Sequence, residues 1–171
     1  IIIFIFGGGF FLYQKFGTPE ILPLMAQRGE KLEILKQKII ENSSEVKENP
    51  NNFKAWVNLG NSFMETSQFS AAVNAYKQAV LLSDGNPILI MAYARALIME
   101  ADGTVTADAK KSLDILLLLQ PQHEEARYFL AVQKMQSGDT QTAMSEMKEL
   151  YKSLADNSPI KEMINHQIGR K

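Results

Sequence analysis

Trp56, Leu59, Gly60 and Phe63, followed by Ala72, Tyr76 and Ala79, recur at helical spacings, with small residues in each half of the window. Such spacing places each set on one face of an α-helix. The small residues, Gly60 and Ala72, let two antiparallel helices approach closely, while Trp56, Phe63 and Tyr76 fill the space around the contact. A single helical hairpin would leave one apolar face in water, so further copies are required. They are present in degenerate form. Ala72-Tyr76-Ala79 recurs as Ala109-Leu113-Leu116 and as Ala143-Met147-Leu150, and Leu59-Gly60 recurs as Tyr93-Ala94 and Leu130-Ala131. The period is about 34 residues once a three-residue insertion within Ala101-Asp102-Gly103-Thr104-Val105-Thr106 is allowed for.

This is the pattern of tetratricopeptide (TPR) repeats. The expected fold is all-α: a solenoid of three TPR hairpins over residues 49–155, with a flanking helix at each end and no strand. Pro121 and the Gly138-Asp139 pair mark turns, and Asp156-Asn157-Ser158-Pro159 separates the last hairpin from a capping helix in residues 156–171. Ahead of the repeats, Leu32, Leu35, Ile39 and Val46 recur among many Glu and Lys, which predicts a charged, solvated amphipathic helix leading into the domain. Two prolines and a glycine in residues 17–23 predict a short stiff linker before it, so that residues 17–48 form linker plus helix.

The start of the chain is apolar without interruption from Ile1 to Leu12 and ends in Tyr13, Lys15 and Phe16, an interfacial pattern of aromatics and a cation. A span needs about 20 such residues, so residues 1–16 are expected to be the end of a transmembrane helix whose beginning lies upstream. The alternative is the apolar core of a signal peptide, but no basic segment precedes it and no small-x-small cleavage site follows. Positive-inside reasoning cannot orient the span without its upstream flank.

Several functions are disfavoured. Net charge is −1, which gives no electrostatic reason to expect nucleic acid. There is no cysteine, so neither a disulfide nor a thiolate metal site can form. His123 and His166 lie far apart and neither has a second histidine at ligand spacing, and no Gly-rich phosphate loop, nucleophile elbow or plausible Ser-His-Asp set is present. The chain is expected to be no enzyme, to hold no cofactor or metal, and to bind another polypeptide.

In TPR arrays the first helix of each hairpin lines the concave face. The corresponding positions here are Val57, Asn61 and Met64, then Met91, Arg95 and Ile98, then Tyr128, Val132 and Met135. An apolar, methionine-rich groove suits the apolar stripe of an amphipathic helix. Asn61 and Arg95 are placed to fix register or meet a carboxylate. Such a methionine pattern is as easily explained by burial between hairpins. The groove lacks the lysines with which chaperone-adaptor TPR domains clamp a terminal carboxylate, having Val57 and Asn58 beside Asn61.

The apolar run, the proline-containing linker, ENPNNFKAWVNLG, the insertion ADGTVTADA and LDILLLLQPQHEEARYFLAVQKMQSGDTQTAM together resemble the CcmI (CycH) family of c-type cytochrome biogenesis proteins over nearly the whole chain. Gly103-Thr104-Val105-Thr106 is the most particular feature. The resemblance implies a bacterial inner-membrane protein whose TPR domain lies in the periplasm and binds apocytochrome c by its C-terminal helix. It would present that partner to subunits of the haem ligation complex. Family members carry two spans joined by a cytoplasmic loop, of which this chain would retain the end of the second. The absence of cysteine suits a holder of a CXXCH substrate. The competing reading is a generic membrane-tethered TPR scaffold for envelope complexes.

Overall fold

A computed structural model describes residues 21–169, and the apolar run of residues 1–16 lies outside them. All regular structure among the described residues is helical: α1 (Ile21–Glu48), α2 (Phe53–Glu65), α3 (Phe69–Leu82), α4 (Pro87–Glu100), α5 (Ala107–Leu119), α6 (Glu124–Gln136), α7 (Thr140–Ser153) and α8 (Pro159–Gly169). The hairpins are α2–α3, α4–α5 and α6–α7, with each helix packed on its sequence neighbours and α8 on both α6 and α7. No described helix is long and apolar enough to cross a membrane.

Local chemistry sets the helix ends. Side chains of Asn52, Asn86, Thr106 and Asp139 accept hydrogen bonds from backbone N–H groups in the first turns of α2, α4, α5 and α7, satisfying donors that have no intrahelical partner. His123 caps α6 the same way through Nδ1, 3.3 Å from the Ala126 nitrogen. At the C-terminal ends of α2, α3, α4 and α6 the chain enters the left-handed region at Ser67, Asp84, Asp102 and Gly138. The next N–H then returns to the carbonyl five residues back, as from Gln68 to Phe63 and from Gly103 to Ile98, both 2.8 Å.

The repeat positions pack as their spacing predicts. Ala72, Ala79, Ala109, Leu113, Leu116, Ala143, Met147 and Leu150 are at most 1% exposed, and Tyr76 is buried with them. Gly60 permits the tightest approach. A Cβ there would lie 2.8 Å from the Tyr76 ring, a ring held by its hydroxyl donating to Asn61 Oδ1 at 2.6 Å. One core runs from Ala72 to Ile164, and a smaller one joins Val46 of α1 to Ala55, Leu59 and Ala75, with Trp56 and Phe63 against it.

The N-terminal region differs from expectation in two ways. Described from Ile21 on, helix α1 includes Pro23, which the sequence pattern placed in the linker. Its second half is a packed element of the solenoid and not simply solvated. Val46 is buried, Ile39 packs beside it, and Asn42 donates to Ser62 Oγ at 2.9 Å and to the Asn58 carbonyl at 3.2 Å. Leu32, one of the apolar positions of that helix, is 46% exposed.

Candidate peptide-binding groove

Helices α2, α4 and α6, the first of each hairpin, line an open cavity of about 730 Å³. Of the nine residues singled out by sequence, Met64, Arg95, Ile98, Tyr128 and Val132 meet there. Ile98, Tyr128 and Val132 are buried and form its floor, whereas Met64 is half-buried and the Arg95 side chain is half-exposed. Tyr128 stacks edge-on against Phe129, ring centroids 5.3 Å apart, which stiffens this floor.

The other four have different roles. Met91 is 3% exposed and belongs to the main core, because α4 is enclosed by neighbouring helices. Met135 is half-buried and accepts a hydrogen bond at Sδ from Gln167 of α8. Asn61 is exposed but accepts from the Tyr76 hydroxyl. Val57 is half-buried on α2 and does not line the cavity.

Arg95 binds Glu125 of the next hairpin through both Nε and Nη2, a bidentate charge-assisted pair. The carboxylate it meets is therefore the chain's own. That hydrogen bond raises the Arg95 pKa, burial opposing it. Burial raises the pKa of the Tyr76 hydroxyl, with Arg95 pulling the other way. A polar strip made of two hydrogen-bonded pairs, Asn61–Tyr76 and Arg95–Glu125, thus runs over the three hairpins.

Two groups of lining residues escaped the repeat reading. Met163 and Gln167 reach the cavity from α8, whose tilt over α6 cannot be read from periodicity. The second group is the inserted turn. Asp102, Gly103 and Thr104 form one wall of the cavity, and Gln136 of α6 holds them. Its Nε2 donates to the Gly103 carbonyl and its Oε1 accepts from the Val105 N–H, each at 2.9 Å. Each fixed position of the Gly-x-Val-Thr sequence has a structural role. Gly103 adopts φ +86°, Val105 is a buried plug and Thr106 caps α5.

Among solved structures the fold is similar to MamA, with a TM-score of 0.60 at 16% identity covering 83% of each chain. It is also similar to YrrB, described as a TPR protein with an unusual peptide-binding site, with a TM-score of 0.59 at 12% identity covering 85% of this chain and 75% of that one. In sequence, the chain is 29% identical over 166 residues to cytochrome c-type biogenesis protein CycH of Rhizobium meliloti (strain 1021), covering 94% of this chain and 43% of the relative. It is 29% identical over 115 residues to the formate-dependent nitrite reductase complex subunit NrfG of Escherichia coli O157:H7, covering 67% of this chain and 56% of the relative. The chain therefore spans less than two thirds of the length of the curated relatives it matches. The family model described as the cytochrome c-type biogenesis protein H TPR domain matches residues 31–161, three quarters of the chain and all three hairpins, and the chain belongs to that family.

Proposed function

We propose that this chain is the periplasmic, membrane-tethered TPR part of a c-type cytochrome maturation protein. It holds apocytochrome c by the C-terminal helix, presents it to the haem ligation complex and catalyses nothing itself. The tether is the apolar run ending at Tyr13, in the bacterial inner membrane. The observation that carries the reading is the convergence of Met64, Arg95, Ile98, Tyr128 and Val132, from three hairpins, on one open and largely apolar cavity. Apolar side chains at helical spacing would enter such a groove, and the edge of the polar strip would fix register. Family membership supports the biological setting.

The test is a titration of the full chain, held in lipid nanodiscs, with a synthetic peptide of the C-terminal helix of an apocytochrome c. Saturable binding is expected, weakened about tenfold or more by Met64→Ala and by Arg95→Ala with helix content unchanged, the loss typical of a residue central to an interface. Binding indifferent to both substitutions would move the site off the groove. No binding by a folded chain would leave a tethered scaffold with another partner.

A further inference from the structure

The C-terminal ends of α2 and α4 bring Met64 and Met99 to the cavity, together with the inserted turn. Helices of the outer layer run the opposite way, so helix dipoles largely offset one another there and side chains set the field. The cation lining the cavity is Arg95, and Glu125 occupies it through two hydrogen bonds. Asp102, in the wall, and Glu65, which follows the lining residue Met64 in sequence, are both exposed carboxylates and form no ion pair among the described residues. Asp102 is also fixed in place, since it belongs to the turn that Gln136 clamps.

We propose that this end of the groove selects for positive charge: the helix that fits it carries Lys or Arg beside its apolar stripe, at the end that lies over the α4–α5 turn. The inference rests on the groove being a helix-binding site and adds the chemistry of the occupant. An anionic flank would face Asp102 and Glu65, and among the described lining residues no free cation stands ready to receive it. A cationic flank meets both carboxylates without displacing Arg95 from Glu125. Rim charges of this kind act mainly on partner choice and association rate.

Two synthetic peptides with the same amphipathic apolar stripe separate the possibilities, one flanked by lysines and one by glutamates. They are titrated into the full chain in nanodiscs of zwitterionic lipid, with empty nanodiscs as blank. The lysine peptide is expected to bind about fivefold tighter at low salt, in keeping with two partly exposed carboxylates, and the preference should shrink as salt screens it. In the Glu65→Gln/Asp102→Asn double variant both peptides should bind with similar affinity. Equal affinity for the unaltered chain, or a preference that survives the double substitution, overturns the proposal. In either case the groove reading stands as long as Met64→Ala weakens both peptides. If neither peptide binds, both readings fall.

Discussion

Tyr76 shows how one side chain serves packing and polarity together. Its ring fills the space that Gly60 vacates, and its hydroxyl donates to Asn61. Burial raises its pKa above the ordinary 10.0. A folded-state pKa above the unfolded value means that the folded chain binds more protons as the pH approaches and passes 10, so this contribution to stability is complete below the unfolded value and disappears as pH rises through the folded one. Tyr93, also raised by burial, adds in the same direction. Urea unfolding at successive alkaline pH values should show stability falling above about pH 10, with a shallower fall in Tyr76→Phe. An unchanged slope in that variant would mean that Tyr76 ionises as freely in the folded chain as in the unfolded one. The close approach was legible because a glycine inside a helical pattern needs a reason. The partnership with Asn61 was not, because both residues fit the repeat without it.

At the level of elements, the inserted turn is the clearest case of sequence signal without visible purpose. The three extra residues were countable from the repeat period. What they do depends on Gln136, which lies 33 positions after Gly103, at a helix end where a polar residue would ordinarily be assigned to solvent. Replacing Gln136 with alanine removes two hydrogen bonds and should cost about 1 kcal/mol, since one of them is exposed. The sharper readout is amide exchange: Val105 N–H, which has Gln136 Oε1 as its acceptor, should lose protection while amides in the middle of α5 keep theirs. Retained protection at Val105 would show that the turn holds its shape unaided. Helix α1 was half legible for a related reason. Its apolar spacing located the helix, but the amide of Asn42 reaching Ser62 and the Asn58 carbonyl, which ties it to α2, carries no periodic signature.

At the scale of the whole molecule, the solenoid is stable because each hairpin covers the next, and α8 covers the last. Ile164 is fully buried and Ile160 nearly so, both within the main core. Ile164→Ala should cost about 2–5 kcal/mol, with exchange protection lost first in α8 and the neighbouring α6–α7 hairpin and last in α2–α3, as expected where stability passes between nearest neighbours. Uniform loss along the array would indicate one indivisible folding unit. The fold could be read in advance because nearest-neighbour stacking repeats its pattern three times. The groove could be read only in part: it is a property of curvature, of α8 and of one irregular turn, none of which repeats. That irregularity has a consequence for how the chain finds its structure. Near-identical hairpins can dock on the wrong neighbour, within a chain or between two chains, and repeat arrays are prone to this error. Here the longer turn after α4 and the amide at the end of α6 recognise each other, and no other pair of hairpins among the described residues offers the same match. The turn therefore acts as an address label: it marks which hairpin follows which, and an array assembled out of order would leave both halves of the label unread.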